Sequence, residues 1–187
     1  MASPDLSARP ASADDDCFWL YSSGSTGNPK GVVHTHKDIP VTCQHYAVET
    51  LFFEESDIVY SAAKLFFAYG LGNALTFPLA VGATTVLHAG PPEPSVIVDI
   101  FAKHRPTVFF GVPTLYAAQL RALEEKSPDL SSVRICVSAG EALPAELETY
   151  LSAVKSASSL PVCAGFGVRE PAQVEAIGRH VDGVIVG

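Results

Sequence analysis

The chain has 187 residues, 48% of them hydrophobic and 17% charged, with a formal net charge of -8 at pH 7. That length and apolar share suit one sizeable buried core, and an acidic chain with no Lys/Arg cluster excludes a nucleic-acid footprint. No apolar run reaches a bilayer span, and Met1 to Asp16 has neither a basic n-region nor an apolar h-region, so the sequence reads as cytoplasmic, without a membrane partner.

After the acidic leader, Cys17 to Ser22 reads as a strand, and Gly31 to His34 as a second one beyond a glycine- and serine-rich loop. A helix follows over Ile39 to Thr50, then a strand from Asp57 to Ala62. Leu65 to Leu79 is mostly apolar and reads as helical, and Ala83 to His88 as a strand. The rhythm continues with a helix over Pro94 to His104, a strand Thr107 to Gly111 and a helix opened by Pro113-Thr114. A polar linker, Glu124 to Ser132, precedes strand Val133 to Ser138, helix Pro144 to Ala157, strand Pro161 to Gly165, helix Pro171 to His180 and strand Gly183 to Val186. Apolar strands separated by helices predict an α/β fold of alternating β-α units on a mainly parallel sheet.

The loop between the first two strands carries the clearest chemistry. In Ser22-Ser23-Gly24-Ser25-Thr26-Gly27-Asn28-Pro29-Lys30-Gly31, the glycines let backbone amides converge on an anion, the hydroxyls add donors and Lys30 adds a point charge. It is a polyphosphate clamp by composition, but not a Walker A loop, whose spacing and Ser/Thr ending it lacks. The four cysteines, Cys17, Cys43, Cys136 and Cys163, form no C-x-x-C pair and read as free thiols rather than as a zinc or disulfide framework. His34 and His36 share a strand face without a third ligand nearby, so no metal site is assigned. From periodicity alone the Phe-rich segment Leu65 to Tyr69 is ordinary helix core.

The loop resembles the phosphate-binding signature of the adenylate-forming superfamily. From Asp15 to about Glu146 the chain is similar to its benzoate-CoA and hydroxybenzoate-CoA ligase branch, through Tyr21 to His36, Ser61 to Asn73, Phe109 to Tyr116 and Ser138 to Pro144. The resemblance implies an aromatic carboxylate substrate, with ATP, Mg2+ and coenzyme A. It places Ser23, Gly24, Ser25, Thr26, Gly27 and Lys30 on the triphosphate. It puts Gly140, Glu141 and Ala142 beside the adenine and the inner end of the acid pocket. Phe67, Ala68 and Tyr69 become a slot for the aromatic ring, with small Ala68 leaving room between two rings.

The likeness then breaks. Where the family carries an aromatic-Gly-x-Thr-Glu motif, this chain reads Gly165-Phe166-Gly167-Val168-Arg169-Glu170, and no Thr-Glu pair occurs. The ribose-binding Asp and the adenylation lysine of the family are not met before Gly187. Instead Tyr150 to Lys155, Leu160 to Val168 and Asp182 to Gly187 resemble the last β-α units of the tryptophan synthase α chain, where Gly165, Phe166 and Gly167 would offer amides to a phosphate ester. The sequence thus reads as a composite. Residues 1–14 form a flexible acidic leader, 15–147 an incomplete piece of an adenylate-forming N-terminal domain, and 148–187 a partial (β/α)8-barrel segment. The expected function is an aromatic acyl-CoA ligase by descent with impaired catalysis. The alternatives are a phosphate-ester lyase fragment and a non-catalytic nucleotide binder.

Overall fold

The computed structural model describes residues 9–22, 28–126, 128–139, 151–152, 155–156, 162–164 and 171–184. The chain divides into two compact units, Met1–Phe52 and Phe53–Gly187.

In the first unit, β1 (Asp16–Ser22) and β2 (Lys30–Thr35) form an antiparallel pair with Tyr21 opposite Gly31 and Ser22 opposite Lys30. These two strands are therefore not part of a parallel sheet. Residues 23–29 are a hairpin-length connection, whereas a parallel return needs a crossover of a dozen residues or more. Asp38 closes the next turn, its carboxylate accepting the Thr35 N–H at 2.9 Å. α1 (Asp38–Thr42) then widens into a π-helical stretch, Cys43–Val48, so the helix expected over Ile39 to Thr50 is present with a change of pitch.

The second unit is built on a six-stranded parallel sheet, in spatial order β4-β3-β5-β6-β7-β8. Its strands are β3 (Ile58–Ser61), β4 (Thr84–Val86), β5 (Val108–Gly111), β6 (Ile135–Ser138), β7 (Cys163–Ala164) and β8 (Gly183–Val184). Val59, Val108, Phe109 and Phe110 are buried almost completely, as expected of parallel strands covered on both faces. The covering helices include α2 (Ala68–Leu71), running through a π-helical turn (Gly72–Thr76) into α3 (Phe77–Val81). α4 (Pro94–His104), α5 (Pro113–Lys126) and α6 (Pro171–Gly178) are further helices among the described residues. α3 stops at Gly82, whose φ of 76° is a left-handed cap that a side chain would strain.

Alternation along the strands sorts the core into two faces. Tyr60, Ala62 and Phe109 pack with Ile97, Ile100 and Phe101 of α4, and with Leu115 and Tyr116 of α5. Phe110, pointing the other way, meets the rings of Phe53 and Tyr69 at centroid distances of 6.2 and 6.1 Å. At the opposite end of the sheet, Asp57 accepts hydrogen bonds from Thr107 Oγ1 at 2.6 Å, Arg134 Nε at 2.8 Å and the Glu54 amide at 2.9 Å. One carboxylate thereby ties the starts of β3, β5 and β6.

Most expected elements appear with ends trimmed by a residue or two. The helix expected from Leu65 begins only at Ala68, because Phe67 is extended (φ -94°, ψ 144°). The polar linker expected from Glu124 starts later, since α5 runs to Lys126. The helix expected over Pro144 to Ala157 lies outside the described residues for most of its length. The described tail strands, β7 and β8, extend the same open sheet beyond β6.

Candidate functional site

The order β4-β3-β5 contains a reversal: the connection leaving β3 leads to one side of the sheet and that leaving β5 to the other. In open parallel sheets such a switch point opens a crevice at the carboxyl ends of the strands, where ligands bind. Two stretches occupy it here, the turn after β3, residues 62–69, and the end of β5 at Gly111.

The turn is held at both ends. A Cβ on Gly70 would lie 2.1 Å from the Lys64 carbonyl oxygen, so only glycine lets α2 start directly over the Ala63–Lys64 backbone. The Lys64 ammonium donates to the carbonyls of His88 and Gly90, both at 2.5 Å, fastening the turn to the chain beyond β4. Between them lies a cavity of about 260 Å³, lined by Ser61, Ala63, Lys64, Leu65, Leu87 and His88.

This winding pushes the aromatic residues outward. Phe66 and Phe67 are 79% and 57% exposed, with ring centroids 4.5 Å apart. The Phe-rich segment is therefore not helix core, as periodicity alone suggests, and Ala68 is exposed beside it. Tyr69 turns inward instead. Its ring stands edge-on to Phe110 at 86°, and its hydroxyl lies 3.2 Å from the Gly111 carbonyl and 3.3 Å from that of Val137. Phe67 and Tyr69 thus flank Ala68 on a turn at the switch point, one ring in solvent and one anchored to strand ends.

Two groups near this end of the sheet have hydrogen-bonding capacity to spare. Ser138 Oγ at the end of β6 and Asn73 Nδ2 in the π-helical turn are buried with no hydrogen-bond partner among the described residues. Unsatisfied buried groups of this kind call for a ligand or a water. Among the described residues no three His, Cys, Asp or Glu side chains come together as a metal site.

The other predicted residues divide as follows. Lys30 is exposed and opens β2 opposite Ser22, at the mouth of the loop. Ser23, Gly24, Ser25, Thr26 and Gly27 lie outside the described residues, as do Gly140, Glu141, Ala142, Gly165, Phe166 and Gly167. Sequence reasoning missed Lys64, Gly70 and Tyr116. A glycine at the end of a buried strand is a signal of close backbone or side-chain approach, and Gly111 gave that signal for Tyr116.

A family model described as "AMP-binding enzyme" matches residues 2–174. Among curated relatives, the chain is 53% identical over 145 residues to a benzoate–CoA ligase of Thauera aromatica, covering 78% of this chain and 28% of that protein. It is 50% identical over 138 residues to a 4-hydroxybenzoate–CoA/benzoate–CoA ligase of Rhodopseudomonas palustris, covering 72% and 25%. Among solved structures it is similar to a benzoate CoA ligase from Burkholderia xenovorans LB400, with TM-score 0.66, 50% identity and coverage of 81% and 30%. An anthranilate CoA ligase in complex with anthranoyl-AMP matches with TM-score 0.71, 43% identity and coverage of 83% and 30%. The chain spans less than a third of the length of these relatives. A glycine-rich hairpin ending in Lys30, an aromatic turn at the switch point of a parallel sheet, and a family match over most of the chain converge: this protein belongs to the family of AMP-binding enzymes.

Proposed function

We propose that this chain carries the triphosphate-binding and acid-recognition parts of an aromatic carboxylate–CoA ligase. In that reaction a carboxylate oxygen bonds to the α-phosphorus of ATP as the bond to pyrophosphate breaks. The coenzyme A sulfur then forms the thioester as AMP leaves. A carboxylate is a weak nucleophile, so rate comes from fixing the triphosphate, neutralising its charge and aligning the acid. Ser23, Gly24, Ser25, Thr26, Gly27 and Lys30 hold the phosphates in this reading. Gly140, Glu141 and Ala142 border the adenine, and Phe67, Ala68 and Tyr69 receive the aromatic ring. Magnesium enters with ATP, and the described residues give it no ligand set. We place the protein in the cytoplasm; none of its described helices is long and apolar enough to cross a membrane.

The observation that carries the reading is the likeness to ligases of benzoate and hydroxybenzoate over 145 and 138 residues, within a family match from residue 2 to 174 that takes in both the loop and the aromatic turn. The test is saturation-transfer NMR with benzoate and, separately, ATP. Benzoate uptake is expected to fall on Phe67→Ala with ATP unaffected, and ATP uptake to fall on Lys30→Ala with benzoate unaffected. Absence of binding by either ligand to the folded chain would overturn the assignment.

A finer reading concerns residues 148–187. We propose that they derive from the last β-α units of a tryptophan synthase α chain, making the protein a composite of the segments 1–14, 15–147 and 148–187. Its support is the run Leu160 to Val168 with Asp182 to Gly187, and the β7-α6-β8 unit suits it. The family match reaching residue 174 weighs against it. Binding of indole-glycerol phosphate, lost on Gly165→Val, would favour it, and with it the alternatives of a phosphate-ester lyase fragment or a plain phosphate binder.

A further inference from the structure

Two phenols converge on one backbone carbonyl in the second unit. Tyr69 Oη lies 3.3 Å from the Val137 oxygen and Tyr116 Oη lies 3.1 Å from the same atom. They come from opposite faces of the sheet. Tyr69 stands against Phe110, whereas Tyr116 packs edge-on to Phe109 with centroids 5.2 Å apart, and neighbouring residues of a strand point to opposite faces. Each phenol also has a second acceptor on β5, the Gly111 carbonyl at 3.2 Å for Tyr69 and the Phe109 carbonyl at 3.3 Å for Tyr116. A phenol has a single proton to donate and a carbonyl oxygen two lone pairs to accept with, so each phenol shares its proton between β5 and β6, Val137 accepts from both, and the Tyr116 hydroxyl also bonds the Cys136 thiol.

Gly111 makes this geometry available. A Cβ there would point to the Tyr116 side and lie 2.7 Å from that ring's Cε2. Any side chain at 111 must push the ring away from the strand ends. Neither Gly111 nor Tyr116 is on the aromatic turn, yet both act on the atom to which Tyr69 is anchored. Val137 also directly precedes Ser138, whose buried hydroxyl has no partner among the described residues.

We propose that Tyr116 is a positioning residue for the aromatic-acid slot, acting on Tyr69 from the far face of the sheet through the Val137 carbonyl, with Gly111 as the gap that admits its ring. The proposal rests on the ligase reading for the word slot; the coupling of Tyr116 to Tyr69 stands on geometry alone. Removing the Tyr116 hydroxyl leaves Val137 to Tyr69, which shifts its shared proton away from Gly111 and rotates its ring relative to Ala68.

The experiment is 19F NMR of the full chain labelled with 3-fluorotyrosine, with the Tyr69 resonance assigned by Tyr69→Phe. In Tyr116→Phe the Tyr69 resonance is expected to move by more than its linewidth while those of Tyr21 and Tyr46 stay put, and Gly111→Ala is expected to move it too. Benzoate affinity is expected to drop about five- to tenfold, as for one lost hydrogen bond, with ATP affinity unchanged. An unmoved Tyr69 resonance in folded Tyr116→Phe overturns the proposal. If that variant does not fold, Gly111→Ala decides on the same resonance. Collapse of both variants also overturns it, because the hydroxyl would then serve the sheet rather than the slot. If the unsubstituted chain takes up no benzoate while the Tyr69 shift persists, the ligase reading fails and takes the slot role with it.

Discussion

Asp57 is buried, with 3% of its surface exposed. Desolvation does push its pKa up, but the Arg134 guanidinium, the Thr107 hydroxyl and the Glu54 amide outweigh it and hold the group below the ordinary carboxylate range. A carboxylate with a depressed folded pKa stabilises the protein above its unfolded pKa of about 4, and that contribution is lost as pH falls through the folded value. Arg134→Met is therefore expected to destabilise the second unit by about 3 kcal/mol, the low end for breaking a buried pair, because the arginine itself is partly exposed. Asp57→Asn should flatten the acid limb of stability. Urea midpoints at pH 7 and pH 3 check both, and equal acid sensitivity in wild type and Asp57→Asn would refute the assignment. Nothing local marks Asp57 in the sequence. Its side-chain partners, Thr107 and Arg134, lie 50 and 77 residues away, and only the parallel register brings them together.

Elements were more legible than their ends. Continuous apolar runs such as Val108–Gly111 announce strands buried on both sides, and Pro94 and Pro113 open helices as they should. The aromatic turn misled because Leu65, Phe66 and Phe67 have helical composition, while the glycine at 70 and the Lys64 tether decide where the helix begins. The hydrogen-bonded destination of Lys64 is tertiary and has no sequence signal. Gly70→Ala is expected to expel the turn from its place and speed amide exchange at Phe67 and Leu71, whose N–H groups donate to the Lys64 and Phe67 carbonyls. Lys64→Met, which keeps most of the side chain's length but no donor, should loosen the same amides without harming the sheet. Unchanged exchange at Phe67 in both variants would mean that the turn is held by something else.

At the scale of the whole chain, the loop and aromatic turn carry the binding chemistry in the proposed reading, while the segment Gly165 to Glu170 has no Thr-Glu pair. Loss of one donor to developing charge typically costs about 3 kcal/mol, or two to three decades in rate. A polypeptide of these 187 residues is therefore expected to bind ATP and benzoate yet release AMP at the background rate. An AMP-release assay beside Lys30→Ala checks this; benzoate-dependent release that vanishes in the variant would show that Gly165 to Glu170 stands in for the pair. The family was legible in the sequence, because the motifs that carry it are local. The sequence did not reveal that the two units partition at Phe52.

The shared carbonyl at Val137 also bears on how the second unit assembles. A β6 strand docked before α2 and α5 are in place would lack both phenols, and either helix docked before β6 would find only its β5 acceptor, the Gly111 carbonyl for Tyr69 or the Phe109 carbonyl for Tyr116. The three elements should then form as one cooperative step, placing their contacts late in folding. Amide hydrogens in this corner, such as that of Ala139 on the Gly111 carbonyl, are expected to exchange only through global opening, with the same denaturant dependence as unfolding itself. Exchange of Ala139 through a smaller, denaturant-insensitive fluctuation would show that β6 can peel away by itself.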